Sequence, residues 1–350
     1  MTNDEKYMAR CIELAKNGKC TTSPNPMVGA VIVCDGKIIG EGYHIRCGGP
    51  HAEVNAINSV KEQELLRKST LYVSLEPCSH YGKTPPCADL IIKKGIPKVV
   101  IGCKDPFPLV AGHGIEKLTN AGIEVVCGVL ENECILLNKT FICFNTMKRP
   151  YVTLKWAQSA DGYIDVKREN GKPAMISNEL TKTIVHKYRA ENQSIMVGKN
   201  TALLDNPSLT TRDWYGKNPI RLVLDRKLTL PKELNIFNDK ADTIIFNELE
   251  DRNEGNISFI KIDYSKNILG EVLNTLYEKK IESVIVEGGK CLLQSFVDYG
   301  LWDEAFIEIS NTIINDGIEA PSIKKYFKRN EEIHFNREII HYINSVFYRQ

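Results

Sequence analysis

Three short stretches, distant from one another along the chain, constrain its fold more than any other feature. They are His51-Ala52-Glu53, Pro77-Cys78 and, nine residues further on, Cys87. An imidazole and two thiolates supply the three protein ligands of a catalytic zinc, which keeps its fourth position for water. Glu53, two residues past the histidine, is placed to take a proton from that water and return it to a leaving amine. The ligand segments open helices, over 51–60 and 87–94, and the positive end of a helix favours thiolate. A buried histidine and two core thiols would give the same residues without a metal. The Pro-Cys step and the second cysteine after a strand weigh against that alternative.

A chain of 350 residues exceeds one ordinary core and suits two domains, 1–147 and 148–350. In the first, apolar periodicity predicts a helix over 4–17 and strands over 28–34 and 37–43, joined by an Asp35-Gly36 turn. Strands over 70–75, 98–103 and 125–127 alternate with helices over 87–94 and 116–121, and 138–150 reads as the junction. The second half places strands near 151–155, 194–197, 221–224, 243–246, 257–262, 283–286 and 305–309. Helices fall near 178–190, 269–279 and 290–299, with a closing strand near 345–348. Strands alternating with helices indicate α/β layering in both halves.

Charge narrows the partners. The formal net charge is +1, with no polybasic tract and no acidic tail, which excludes electrostatic binding to nucleic acid or an anionic membrane. The start, Met1-Thr-Asn-Asp-Glu-Lys, is polar and acidic, unlike a signal peptide. No apolar run approaches the roughly 18 residues that cross a bilayer. Eleven scattered cysteines fit reduced thiols rather than a disulfide framework, and the expected location is the cytoplasm.

The set His-x-Glu…Pro-Cys…Cys is the signature of zinc deaminases of nucleobase rings, except that eight residues rather than two separate the cysteines. Two stretches carry a closer likeness: Glu76-Pro-Cys-Ser-His-Tyr-Gly-Lys-Thr-Pro-Pro-Cys87 and Ser23-Pro-Asn-Pro-Met-Val-Gly-Ala-Val-Ile-Val33. On these the chain resembles the bifunctional riboflavin-biosynthesis deaminase/reductase family, and the resemblance covers essentially its whole length. It implies a cytidine-deaminase-like three-layer α/β/α domain followed by a dihydrofolate-reductase-like α/β domain. It also implies one Zn2+ per chain on His51, Cys78 and Cys87, with Glu53 moving the proton. The implied substrate is a diamino-hydroxy-pyrimidine bearing a ribosylamino 5′-phosphate, which loses its 2-amino group. Asn25, His80 and Lys83 would contact it, a solvated loop being the other reading of Lys83. Asp105-Pro-Phe-Pro-Leu-Val-Ala-Gly-His-Gly114 is similar to the family's substrate loop, with Phe107 in place of an asparagine.

In the second half, Glu287-Gly288-Gly289 stands between a strand and a helix, where glycines admit a phosphate to backbone N–H groups. Read alone, a plain tight turn is the better reading, and no G-x-G-x-x-G supports a Rossmann site. Three segments are similar to the family's reductase motifs: Lys155-Trp-Ala-Gln-Ser159-x-Asp161-Gly162, Thr201-x-x-x-Asp205-Asn-Pro-x-Leu209-Thr, and Val286-Glu-Gly-Gly289. They imply NADPH and reduction of the ribosyl C1 to a ribityl chain. By that likeness Ala157, Met175, Thr201 and Asp205 line the nicotinamide side, and Gly289, Lys290, Cys291, Leu292, Leu293, Gln294 and Ser295 cradle the pyrophosphate. Arg189, Leu209, Arg212 and Glu287 would hold substrate, surface ion pairs being the other reading of each arginine. Arg226, after a strand, would meet the 2′-phosphate, and Lys155 faces either a ligand or plain packing. Pro173 and Met175 replace the family's serine and tryptophan. A homo-oligomer, dimer or tetramer, is expected. The competing expectation is a cytidine- or deoxycytidylate-type deaminase whose C-terminal half binds a ligand without catalysis.

Overall fold

The computed structural model describes residues 1–81, 85–106, 111–168, 172–323 and 328–344. Lys83, Phe107 and the strand expected near 345–348 lie outside the described residues. The chain divides into two compact units, Met1–Met147 and Lys148–Gln350.

The first unit runs α1 (Asn3–Ala15), β1 (Gly29–Cys34), β2 (Lys37–Tyr43), α2 (Ala52–Ser59), β3 (Thr70–Leu75), α3 (Cys87–Lys94), β4 (Lys98–Cys103), α4 (His113–Asn120), β5 (Glu124–Cys127), α5 (Glu131–Leu137) and α6 (Lys139–Met147). Its sheet has the order β2-β1-β3-β4-β5. β1 is antiparallel to β2 and β3, while β3, β4 and β5 are parallel. The alternation of side chains along a strand sorts the core into two layers. Ala30, Ile32, Leu71, Val73, Val99 and Ile101 face one way, onto Ala52, Ala56 and Ile57 of α2 and Ala88 and Ile91 of α3. Val31, Val33, Tyr72, Val100 and Cys103 face the other way, onto Met8, Cys11 and Ile12 of α1 and Cys134 of α5. With both faces covered, β1 is buried at every position, which explains its unbroken apolar run.

Residues 139–147, expected within a junction, form α6 instead. Cys143 and Phe144 are buried there, and Asn138 ties the helix start to Met27 by two hydrogen bonds of 2.8 and 2.9 Å.

The second unit runs β6 (Tyr151–Gln158), β7 (Tyr163–Val166), α7 (Glu179–Glu191), β8 (Ser194–Gly198), α8 (Lys199–Asp205), β9 (Ile220–Leu224), β10 (Thr243–Asn247), β11 (Arg252–Glu254), β12 (Ile257–Lys261), α9 (Ile268–Glu278), β13 (Ser283–Val286), α10 (Lys290–Asp298), β14 (Glu304–Ile309), β15 (Gly317–Glu319), β16 (Lys328–His334) and β17 (Arg337–Ile343). Ten strands form one sheet in the order β11-β12-β10-β9-β8-β13-β6-β14-β17-β16, and β7 pairs with β15. From β12 through β14 the neighbours are parallel, and the edges are antiparallel. Parity again divides the core. Met196, Leu222 and Val284 pack beneath α9 and α10, while Ile195, Val197, Val223 and Ile285 face Ala202 and Leu209. The β16–β17 hairpin was not expected. Its strand Lys328–His334 is charged at most positions and sits at a solvated sheet edge, so it carries no apolar alternation.

Candidate functional site

In the first unit, His51 caps α2 and Cys87 is the first residue of α3. The Cys87 and Cys78 sulfurs lie 3.4 and 3.6 Å from His51 Nδ1, and the three ligand atoms fall within 4.8 Å of one another. A tetrahedral zinc with ordinary Zn–S and Zn–N lengths sets a sulfur–nitrogen edge of about 3.5 Å. One imidazole and two thiolates at that spacing fit the ion. The backbone N–H of Cys87 donates to Cys78 Sγ at 3.3 Å, and that of Ala88 to the Cys78 carbonyl at 3.1 Å. The Cys78 thiol is pushed down to about 4, first by the Cys87 thiol that donates to it and next by His51, which together outweigh burial. Cys87, the donor of that bond and itself buried, moves up.

Glu53, in the first turn of α2, is only 3% exposed. Burial pushes its carboxyl up to about 7, and the neighbouring Cys78 charge adds to the rise. A carboxyl at that value both accepts and returns a proton near neutrality. Asn25 lies beside this group. His44 Nδ1 faces the Pro50 carbonyl at 3.0 Å, so that nitrogen carries the proton and Nε2 accepts from the Asn25 amide at 3.1 Å. His44 stands edge-on to His51, with ring centroids 5.5 Å apart. Sequence reasoning missed His44, because a lone histidine in a polar turn carries no spacing signal. His80 is exposed in the inter-cysteine loop.

In the second unit a cavity of about 880 Å3 opens at the carboxyl ends of β6, β8, β9 and β13, where open parallel sheets bind ligands. Of the expected residues, Ala157, Met175, Thr201, Asp205, Glu287, Gly289, Lys290, Cys291, Leu292, Leu293 and Ser295 line it. Gly289 has φ +74 and starts α10, a conformation that favours glycine and aims the first N–H groups of the helix outward. A Cβ on Gly288 would lie 2.9 Å from Val197, so α10 and α8 close on the cavity only because that side chain is missing. The volume, the glycine step and the helix N-terminus fit a dinucleotide with its pyrophosphate.

Other expected residues sit behind the wall. Arg189 is closed on Glu287 by two bonds of 2.9 and 2.6 Å, and its third nitrogen donates to the Thr210 carbonyl. Burial would push the Glu287 carboxyl up, but Arg189, and then Lys155, hold it below the usual carboxylate range. Leu209 is buried with φ +51. Arg212 donates its N–H to His186 Nδ1 at 3.1 Å and is not among the cavity residues. Arg226 and Lys227 both pair with Glu248 and are not among the residues that line the cavity, and Gln294 is held by Asp298 and Ser322.

The cavity also holds side chains that sequence reasoning left out or left open. Lys155 points into it from β6; burial lowers its ammonium, while Glu287 and Glu308 oppose that shift. Its place at the head of a reductase-like segment left its role open, and a lysine among the buried residues of β6 was the other signal. Arg168 bridges Asp165 and Asp205 at 2.5 Å each, from a segment with no motif.

Comparison with known proteins decides the relationship. The model of the cytidine and deoxycytidylate deaminase zinc-binding region matches residues 1–103, and that of the RibD C-terminal domain matches 150–318. Riboflavin biosynthesis protein RibD of Aquifex aeolicus is 41% identical, over 90% of this chain and 89% of its own. The chain belongs to the RibD family. The Bacillus amyloliquefaciens member is 44% identical over 91% of this chain and 87% of its own. A crystal structure of a diaminohydroxyphosphoribosylaminopyrimidine deaminase/5-amino-6-(5-phosphoribosylamino)uracil reductase from Thermotoga maritima superposes with a TM-score of 0.88 at 41% identity. It covers 98% of this chain and 99% of that one. Acinetobacter baumannii RibD superposes with a TM-score of 0.86 at 32% identity, covering 97% and 98%. The RibD likeness thus spans both units, and the reading as a cytidine-type deaminase with an inert appendage gains no support from it.

Proposed function

We infer that this protein carries out two successive steps of riboflavin biosynthesis: deamination of the diamino-pyrimidine ribosylamino 5′-phosphate, then reduction of its ribosyl group. The observation that carries the first step is the buried Glu53 beside a His51–Cys78–Cys87 triangle of zinc dimensions. Zinc, when bound, supplies a water of lowered pKa. Glu53 takes the proton of that water and returns it to the departing nitrogen, so that the ring gains a carbonyl and ammonia leaves. Asn25, held by His44, presents its remaining polar atoms to the pyrimidine.

The second step is read from the cavity. NADPH supplies the hydride that goes to the opened ribosyl C1, and one proton must accompany it. Lys155, beside Glu287 and Ala157, is the group placed to give that proton. Gly289 and the start of α10 take the pyrophosphate, and Thr201 and Asp205 border the nicotinamide. Arg189 acts through Glu287, which it holds ionised and aimed.

The exposed Ile333 and Phe335, at the tip of the β16–β17 hairpin, support a homo-oligomer, dimer or tetramer, which sedimentation would measure. Among the described residues no helix is long and apolar enough to cross a membrane. The need for reduced thiolates at Cys78 and Cys87 supports a cytoplasmic setting. The decisive experiment follows NADPH absorbance on the diamino-pyrimidine substrate. Oxidation by wild type but not by Glu53→Ala establishes both steps and their order. Ammonia release without oxidation would remove the reductase claim.

A further inference from the structure

Glu76 stands two residues before Cys78, just past β3, and is buried at 4% exposure. The chemistry set out above leaves it unused. Its carboxylate accepts four backbone N–H groups, all from one other segment. Oε2 takes Asp105 and Gly112 at 3.3 and 3.0 Å, and Oε1 takes Gly114 and Ile115 at 2.9 and 3.2 Å. These amides lie before and at the start of α4, whose own N-cap, Gly112, has no side chain to offer. Glu76 therefore caps α4 from a distant part of the chain. The two segments also touch. A Cβ on Gly114 would sit 2.1 Å from the Pro77 carbonyl oxygen, between Glu76 and Cys78.

We propose that Glu76 is a positioning residue for the deamination: it clasps Asp105 and the start of α4 to the arm that carries Cys78. The proposal rests on the deaminase function inferred above and on the likeness of 105–114 to a substrate loop. A carboxylate suits the task because it offers only acceptors, enough for four donors. Glutamine has the same shape but turns an NH2 toward two of the four N–H groups. That leaves buried donors unpaired, a penalty large enough to move a loop. The ligand arm keeps its other ties, from the Cys87 and Ala88 N–H groups, so the zinc triangle does not depend on the clasp.

The test is Glu76→Gln in the full-length, zinc-loaded protein. The deaminase KM rises on the order of tenfold while kcat changes less, with zinc content unchanged. Reduction of the already deaminated intermediate is also unchanged, since it uses the other unit. Hydrogen exchange at Gly112, Gly114 and Ile115 speeds up, while β3 and β4 stay protected. A lowered thermal midpoint with KM and kcat intact would make Glu76 merely structural and overturn the proposal. Loss of zinc would also overturn it, by showing that Glu76 serves the ligand arm alone. The exchange measurement needs no turnover. If wild type releases no ammonia, the proposed function falls, whereas unaltered exchange in Glu76→Gln is what removes the clasp.

Discussion

The two units solve the problem of placing reactive groups in opposite ways. The zinc corner is built from four side chains on three segments, each locked by a helix start or a strand end. The reductase cavity is broad, and its charged residues are set by ion-pair partners, one behind the wall and one within it. Arg189 orders Glu287, and Arg168 orders Asp205. A compact site should fail completely when one member is lost, and a dispersed one should fail by degrees.

The largest expected effect is at the compact site. Glu53→Gln lowers ammonia release by about 10²–10⁴-fold and leaves reduction of the deaminated intermediate intact, as parallel assays would show. A matching loss in both assays would mean that the units are not independent. Lys155→Met comes next. It lowers NADPH oxidation by up to about 10²–10³-fold without touching ammonia release; an unchanged rate would remove Lys155 as the proton donor.

Arg189→Ala reads out on stability rather than on turnover. It leaves a buried carboxylate unpaired, a loss of about 3–5 kcal/mol in the second unit's unfolding by denaturant. Because Glu287 is held below its unfolded value, the pair contributes stability above that value, near pH 4.3. That contribution is lost as the pH falls through the folded value, so wild type and variant converge in acid. A gap that widened in acid would contradict the assignment. The smallest effect is at Arg226. Arg226→Ala leaves the KM for NADPH unchanged, since the guanidinium is already paired with Glu248 and is not among the groups that line the cavity. A selective rise for NADPH over NADH would put the 2′-phosphate back beside Arg226.

The contrast also explains what could be read beforehand. The zinc residues were legible because metal geometry dictates residue types, and those types are rare in combination. Short unbroken apolar runs made nearly every central strand visible, since both faces of each sheet are covered. The β16–β17 hairpin was hidden because an edge strand need not alternate. His44 and Arg168 were hidden, and the role of Lys155 was left open, for another reason: each acts through distant partners, and a pairing between β6 and the segment after β13 leaves no mark in local spacing. Glu76 stood in plain sight beside Pro77, but its four donors come from 29 to 39 residues downstream.

The bonds between Cys78 and the start of α3 close the excursion between the two cysteines at its base. The ligands are therefore fixed by that closure and by His51, whatever length of chain runs out and back between them. In engineering terms, the metal corner is a hub whose bracing does not run through the chain between its two cysteines.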